Sequence, residues 1–355
     1  MNQLGRYLAE QIRLQGPLSI ADYMAAALGH PKWGYYTSRD PFGSSGDFIT
    51  APEVSQMFGE LIGLWCAERW QTMGAPPRFV LAELGPGRGT LMADALRAAA
   101  AMPGFVAAAQ VHMVETSPVL RAAQRDALAD HSVTWHDRIA ELPPGPLLVI
   151  ANEFFDALPI RQFQRAADGW HERMVAVNGE EFCLVLNPVV TPGEPAADAA
   201  TGAIAEVSPA RSAAMGELAQ QISSGGGAGL IIDYGHLRST AGDTLQAMRA
   251  HGYADPMAAP GEADLTAHVD FQALGDAARG CGADTFGPVS QAQFLNALGI
   301  ATRAEMLQGA ATPSQAKDIA SALHRLTGRD QMGELFKVMA VAAPGGQAPL
   351  GFEDN

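Results

Sequence analysis

Apolar residues recur at two different spacings along the chain, and the spacings predict different elements. In residues 1–74 they fall mainly at the helical interval, as between Met57 and Trp65, which predicts a mostly helical start. After that, short apolar runs alternate with helical segments. The strand-like runs are RFVLAEL, QVHMVETS, SVTWHD, GPLLVIANE and AGLIIDYG. Strands that alternate with helices predict an α/β fold with a mostly parallel sheet.

Two later segments depart from this alternation. Between Arg161 and Pro188, DG and NG dipeptides separate segments of alternating polarity, which predicts an antiparallel β-meander inserted after the fourth parallel strand. Residues 235–330 have the pattern of irregular and helical structure, and LFKVMAVAAP predicts a last strand.

Composition narrows the function classes. The 355 residues are 48% apolar, which is enough for a sizeable core, and carry a net charge of −15. Because an acidic chain repels phosphate backbones and no run of Lys or Arg occurs, we expect no nucleic-acid partner. The three cysteines lie far apart without CxxC or HExxH spacing, so neither disulfides nor a metal site are expected. The N-terminus lacks the apolar region of a signal peptide and is a weak candidate for a mitochondrial presequence. No stretch is apolar enough for a membrane span, so we expect a cytoplasmic protein.

The most specific local feature is the turn in ELGPGRGTLMADAL. Its glycines, Gly85, Gly87 and Gly89, follow a strand and precede a helix, whose free N–H groups face the same space. A dinucleotide GxGxxG fingerprint would need a small residue in place of Thr90, and no P-loop pattern occurs. A GxGxG turn just after an acid, here Glu83, is the first motif of class I S-adenosylmethionine (SAM) methyltransferases. On these residues alone, a SAM site, a dinucleotide site and a tight turn without ligand all stay open.

Acidic residues after the next two strands add to this site. Glu115, with Thr116 beside it, ends the second strand, where an acid accepts the ribose hydroxyls of an adenosine cofactor. Dinucleotide enzymes use an acid at the same place, so Glu115 does not discriminate between the cofactors. Asp137, after the third strand, is placed for the adenine amino group, and a plain turn aspartate fits the pattern equally well.

Several longer motifs occur in one order along nearly the whole chain. They are RDPFGSSGDFITAPEVSQMFGELIG, ELGPGRGTLMAD, ETSPVLRAAQ, ANEFFDALPIRQF, IIDYGH, GEADLTAHVDF and DQMGELFKVMA. Together they resemble the MidA family of SAM-dependent methyltransferases, which is related to a mitochondrial complex I assembly factor. The resemblance implies a class I, Rossmann-like fold, SAM as cofactor, and symmetric dimethylation of an arginine in a protein. It also implies a partner, the 49-kDa-type subunit of NADH:ubiquinone oxidoreductase, during complex I assembly.

With this resemblance the chain divides into three predicted segments. The first, over 1–74, is a helical cover and cofactor lid, and the second, over 75–240, is a SAM-binding core with the meander at about 158–190. The third, over 241–345, is a C-terminal substrate-groove region with the last strand. The lid would be SSGDFITAPEVS. In it Asp47 meets the cofactor's ammonium or anchors the loop, Phe48 covers an apolar edge, and Thr50 is a further cofactor residue. Without the resemblance this is an ordinary Gly/Ser loop.

Arginine methylation sets the requirements for the catalytic residues. The guanidinium stays protonated, so an enzyme must hold carboxylates against it and aim one nitrogen at the methyl group. In ANEFFDALP, after the fourth strand, we expect Glu153 and Asp156 to anchor the guanidinium and Asn152 to orient it. A helix cap or a solvated acid is the alternative.

Further residues are expected to shape the substrate channel, namely Asp233, His236 and His268. Each histidine has an alternative as a hydrogen-bonded loop residue. Two other functions stay open: a binding or assembly factor that keeps the fold without catalysis, and an NAD(P)-dependent oxidoreductase, which Thr90 disfavours. The apolar faces of the helices predicted at 54–70 and 306–326 would suit a homodimer or simply fill the core.

Overall fold

The computed structural model describes residues 1–38, 50–191 and 199–353, and their contacts divide into two compact units. Unit 1 comprises residues 1–38, 156–191, 199–213 and 238–270, and unit 2 comprises residues 50–155, 214–237 and 271–353. Each unit is thus assembled from separated chain segments. The three segments predicted from the sequence stay a prediction.

Helices occupy both units and are often closed by side-chain caps. The Asn2 side chain accepts a hydrogen bond from the Gly5 N–H at the start of the first helix, at 2.8 Å. The Ser55 side chain caps the long helix that begins at Gln56 in the same way. The helices of the described residues are α1 (Gln3–Gln15), α2 (Ile20–Gly29), α3 (Tyr35–Ser38), α4 (Ala51–Val54), α5 (Gln56–Thr72), α6 (Thr90–Ala99), α7 (Phe105–Ala108), α8 (Pro118–Ala127), α9 (Pro209–Gly225), α10 (Phe271–Gly280), α11 (Gln291–Ala297), α12 (Ile300–Gly309), α13 (Pro313–Thr327) and α14 (Met332–Leu335), with a 3-10 turn at Ile139–Glu141.

The strands form one large sheet in unit 2 and two smaller sheets in unit 1. They are β1 (Leu18–Ser19), β2 (Phe79–Leu84), β3 (Ala109–Val114), β4 (Val133–His136), β5 (Leu147–Asn152), β6 (Arg161–Ala166), β7 (Gly169–Asn178), β8 (Glu181–Thr191), β9 (Ile204–Val207), β10 (Gly227–His236), β11 (Gln246–Arg249), β12 (Gly252–Ala254), β13 (Asp264–Thr266), β14 (Val269–Asp270), β15 (Asp284–Ser290) and β16 (Phe336–Ala342).

The sheet of unit 2 has the order β15-β16-β10-β5-β2-β3-β4. The five strands from β10 to β4 are parallel, whereas β16 is antiparallel to both β10 and β15. Every residue of β2 and of β5 is buried, which explains why these strands show continuous apolar runs rather than alternation. The predicted α/β class with a mostly parallel sheet is confirmed.

Strand ends align at one edge of this sheet. Leu84 pairs with Val114 and with Ala151, Val114 pairs with His136, and the last residue of β5 pairs with Ile232. The segments that leave these strands therefore begin side by side at the carboxyl edge, where ligands bind in open α/β sheets.

An ion-pair cluster fixes the helices around the first turn of the sheet. The buried carboxylate of Glu60, in α5, accepts a hydrogen bond from Arg97 of α6 at 2.7 Å. It accepts another from Nε of Arg303, in α12, also at 2.7 Å. Gly63 of α5 lies so close to α6 that a Cβ there would overlap the carbonyl oxygen of Ala95. Because α6 begins at the glycine turn, these contacts set the position of that turn.

Unit 1 contains the predicted meander. The strands β6, β7 and β8 pair antiparallel in sequence, β9 adds to β6, and β1 adds to β7. A second sheet has the order β12-β11-β13. The sequence pattern did not indicate β9, β15 or this second sheet, because the strands are short or polar and carry no clear period.

Candidate active site

The glycine turn connects β2 to α6 at the carboxyl edge. Gly85, Gly87 and Gly89 have φ of +59°, +53° and +85°, a backbone region that side-chain-bearing residues rarely adopt. A Cβ on Gly85 would lie 3.1 Å from Cδ2 of Phe154, which follows β5. The turn thus brings backbone close to the segment after the neighbouring strand, and Thr90 starts α6 directly behind it.

Glu83 lies in β2 just before this turn, and its carboxyl group is buried. Burial raises the pKa of Glu83 to about 8, against a hydrogen bond from the backbone of Met92 that lowers it. Its Oε2 atom is buried and has no hydrogen-bond partner among the described residues. A positively charged group bound next to it would be favoured, because it would stabilise the carboxylate.

Glu115, at the end of β3, is also buried but has several donors. Its Oε1 accepts from the backbone N–H of Ser117 at 2.7 Å, and its Oε2 accepts from Nε2 of Gln124 at 3.4 Å. Burial raises the pKa of Glu115, while the backbone donors Ser117 and Thr116 and the side chain of Gln124 oppose that rise. Thr116 itself is exposed at this edge.

Asp137, after β4, is exposed and paired. Its Oδ1 accepts a hydrogen bond from Arg121 at 2.7 Å, and its backbone N–H donates to Glu141 at 3.0 Å. Arg121 also donates to the backbone oxygens of Glu115 and His136, at 2.7 and 2.9 Å. Asp137 and Glu115 are therefore held beside each other by one arginine.

The short helix α4 connects to two parts of the edge. The Glu53 carboxylate accepts a hydrogen bond from the Thr90 hydroxyl at 2.6 Å, and the Ala51 N–H donates to Oε1 of Glu153 at 3.3 Å. Thr50 is buried at the start of this helix. Two expected lid residues, Asp47 and Phe48, lie outside the described residues.

Asn152 and Glu153 end β5 and begin the segment after it. Glu153 has φ of +51°, although it is not a glycine, and its N–H donates to the Ile232 oxygen at 2.9 Å. The Asn152 side chain donates to Oε1 of Glu153 at 3.2 Å, while its own Oδ1 is buried without a hydrogen-bond partner in the described part of the chain. A left-handed conformation in such a residue costs about 1–3 kcal/mol and occurs often at functional sites.

Asp233 and His236 belong to β10. Asp233 is fully buried, and its two oxygens accept the backbone N–H groups of Phe155 and Tyr234, at 3.1 and 3.0 Å. It thereby fixes the segment that follows Glu153. His236 is half-buried at the end of the strand.

Asp156 and His268 are part of unit 1, so the structure does not place all expected catalytic residues in one unit. The buried guanidinium of Arg211 donates to the backbone oxygens of Asp156, Ala267 and His268, at 3.0, 2.8 and 2.7 Å. This arginine therefore holds the two predicted residues' backbones together.

A tyrosine and a second carboxylate lie near Asp156. The Tyr36 hydroxyl donates to Oδ1 of the buried Asp264 at 2.8 Å. Burial raises the pKa of Tyr36, and the negative charges of Asp264 and Asp156 raise it further. Unit 1 thus places the carboxyl groups of Asp264 and Asp156 near the Tyr36 hydroxyl.

Sequence reasoning missed three of these residues: Gln124, Glu53 and Arg211. Each contacts groups distant in sequence, so the local pattern assigned it no role, although Glu53 and Gln124 lie within quoted motifs. The described residues contain no cluster of three or more His, Cys, Asp or Glu that would hold a metal ion. Among those residues, no helix combines the length and apolar character needed to cross a membrane.

Comparisons with known proteins identify the family of this chain. A family model described as S-adenosyl-L-methionine-dependent methyltransferase matches residues 61–289. Protein arginine methyltransferase NDUFAF7 of Mus musculus is 38% identical over 366 residues, 95% of this chain and 83% of that protein. The Homo sapiens protein of the same name is 36% identical over 365 residues, 95% of this chain and 82% of that protein. A crystal structure of a Burkholderia thailandensis protein bound to S-adenosyl-homocysteine has a TM-score of 0.85 and 31% identity, and covers 99% of this chain and 94% of that chain.

One expectation is corrected by these comparisons. The curated relatives are named as mitochondrial proteins, which points to mitochondria, so the predicted cytoplasmic location is wrong. The predicted family, fold and cofactor are confirmed. The chain belongs to the family of S-adenosyl-L-methionine-dependent methyltransferases.

Proposed function

We propose that this chain transfers methyl groups from SAM to an arginine of a protein substrate. The observation that carries the proposal is Glu153, a carboxylate held in a left-handed backbone conformation at the carboxyl edge of the sheet. Several relatives named protein arginine methyltransferase, 35–38% identical over 95% or more of this chain, support it.

The proposed cofactor site includes the glycine turn. Bound SAM supplies a methyl group that is activated by its sulfonium. Glu83, buried and with an unpartnered Oε2 in the described chain, fits a positively charged ligand. Glu115 would accept ribose hydroxyls. The other proposed cofactor residues are Gly85, Gly87, Gly89, Thr90, Thr116, Asp137, Thr50, Asp47 and Phe48.

The catalytic residues act on the arginine. Glu153 would hold the guanidinium by a charge-assisted hydrogen bond, and Asn152 offers the buried Oδ1 as a further acceptor. The donors Ala51 N–H and Asn152 Nδ2 fix Oε1 of Glu153, so that less freedom is lost on substrate binding. A proton lost from the guanidinium would pass to a carboxylate or to water.

Residues from other segments complete the proposal. Asp156 is a second carboxylate for the guanidinium, and His236 and His268 are substrate residues. Asp233 is a further proposed substrate residue, and it accepts hydrogen bonds from the backbone N–H groups of Phe155 and Tyr234.

Finer features rest on the family resemblance and are also proposed. They are symmetric dimethylation as the product, a subunit of respiratory complex I as the substrate, and a homodimer as the assembly.

The test uses purified chain, SAM, and paired peptides that differ only by Arg in place of Lys. We expect methyl transfer to the arginine peptides alone. In Glu153→Gln, loss of a hydrogen bond to a charged group should lower kcat/KM by about 10- to 100-fold. Glu181→Gln, at an exposed position of β8, is the matched control and should keep full activity. Methylation of the lysine peptides, or of neither set by a chain that binds S-adenosylhomocysteine, would overturn the proposal.

A further inference from the structure

We propose that Gln124 is a positioning residue that sets the affinity of the site for the adenosine part of SAM, acting through Glu115 and the glycine turn. The inference rests on the cofactor site proposed above. It gives a role to a residue of α8 that stands at the end of the ETSPVLRAAQ motif, where the sequence alone assigned it none.

Gln124 connects three separate parts of unit 2. Its side chain is fully buried, and its Nε2 donates to the Gly87 carbonyl oxygen at 2.7 Å and to Oε2 of Glu115 at 3.4 Å. Its Oε1 accepts the indole N–H of Trp135 at 2.8 Å. One amide thus joins the glycine turn, the end of β3 and β4.

The orientation of this amide is determined by its partners. An indole nitrogen can only donate, whereas the Gly87 oxygen can only accept. Turning the amide over would set donor against donor at Trp135 and acceptor against acceptor at Gly87. The Nε2 group therefore has one available orientation, and both of its N–H groups are used.

The consequence for Glu115 is a carboxyl group whose two oxygens are both held in place. Its Oε1 is held by the Ser117 N–H at 2.7 Å, and Gln124 directs the other oxygen. Hydrogen bonds to a carboxylate favour its charged form, and a charged acceptor binds hydroxyl groups more strongly than a neutral acid does. The shorter bond to Gly87 holds the turn at the same time.

Charged and titratable side chains of α8 and the neighbouring strands lie beside this cluster. Arg121, on the same helix, donates to the Glu115 backbone oxygen at 2.7 Å and pairs with Asp137. Arg125 lies over the Trp135 ring, with its Cζ 4.9 Å from the centroid. The imidazoles of His112 and His136, on β3 and β4, contact each other at 2.8 Å.

The chain offers a matched control at Gln291. This side chain is also fully buried in unit 2, and its Nε2 donates to the Leu326 oxygen at 2.9 Å, away from the glycine turn. Replacing either glutamine by methionine removes the amide while nearly keeping the volume. A purely structural role predicts the same result for both variants.

The experiment measures the dissociation constant of S-adenosylhomocysteine by calorimetry, and Tm, for the full chain. Gln124→Met should weaken binding by about 10- to 100-fold, because a buried carboxylate loses a donor. Gln291→Met should stay within about twofold of the parent chain, although both variants lower Tm. Equal affinity of Gln124→Met and the parent chain would overturn the inference.

A pH profile adds a result that a structural role would not produce. Gln124→Glu places a second carboxyl group beside Oε2 of Glu115, and two such groups share a proton when the pH falls. The shared proton restores a donor, so the affinity of Gln124→Glu should recover toward low pH relative to the parent chain. Parallel pH profiles for the two proteins would overturn the inference.

The Glu115→Gln variant separates this inference from the proposed function. If Glu115→Gln weakens S-adenosylhomocysteine binding while both Gln124 variants bind normally, only the inference fails. If the parent chain does not bind S-adenosylhomocysteine at all, the proposed function fails first.

Discussion

Replacing Glu83 by glutamine tests the electrostatic account of the glycine turn. Burial raises the pKa of this carboxyl group from 4.5 to about 8 in the folded chain. Between these two values the unfolded chain has lost the proton and the folded chain has kept it. Increasing pH therefore favours unfolding, and the contribution of Glu83 to stability is lost as the pH rises from 4.5 through about 8.

The expected size follows from proton linkage. One proton of difference corresponds to about 1.4 kcal/mol of unfolding free energy per pH unit. Between about pH 5.5 and pH 7.5, the unfolding free energy of the parent chain should therefore fall by roughly 2–3 kcal/mol because of Glu83. Glu83→Gln has no proton to lose at this position and should not show that decrease. The decrease corresponds to several degrees in Tm.

The assay compares urea or thermal unfolding of the parent chain and Glu83→Gln at several pH values. The stability of the variant relative to the parent should rise with pH. Other titrating groups cancel in this comparison. A difference between Glu83→Gln and the parent that does not change with pH would refute the reasoning.

Three further substitutions test the packing and charges around the turn. Gly63→Ala should lower the unfolding free energy by about 2 kcal/mol or more, measured by urea unfolding, because its Cβ would overlap the Ala95 backbone; Gly280→Ala, with nothing within 4 Å of its Cβ, should change little. Glu60→Gln should cost about 1–3 kcal/mol near neutral pH. Burial raises the pKa of Glu60, but Arg303 and Arg97 lower it by more, so the pKa lies below its usual value. The deficit should therefore shrink as the pH falls through that lowered pKa. A deficit that does not change with pH would contradict the assignment. Gly85→Ala, forced into φ of +59°, should weaken S-adenosylhomocysteine binding in calorimetry, and unchanged affinity would contradict the role of the turn.

The sequence predicted the strands that are buried on both sides. In β2 and β5 the apolar run is continuous because helices cover both faces of a parallel sheet, and such runs are visible without a structure. By contrast, β9 and β15 are short or partly polar, and they are strands because β6 and β16 supply their hydrogen bonds. Pairing of that kind depends on tertiary structure and leaves no period in the sequence.

The candidate site divides in the same way. Residues carried by a local motif, such as Gly85 and Glu83, were predicted because the spacing itself has a chemical reason. Gln124 and Arg211 were missed, since their hydrogen bonds join positions far apart in sequence. The positive φ of Glu153 was also beyond the sequence, because the contacts with Ile232 and Ala51 impose it.

Amino-acid analysis of a methylated substrate tests the central claim most directly. The chain is incubated with SAM and an arginine-containing complex I subunit preparation, and the hydrolysed product is separated into its methylated amino acids. We predict symmetric dimethylarginine, which is lost in Glu153→Gln while S-adenosylhomocysteine binding persists. Methyl groups on any residue other than arginine, or undiminished methylarginine in Glu153→Gln, would contradict the account.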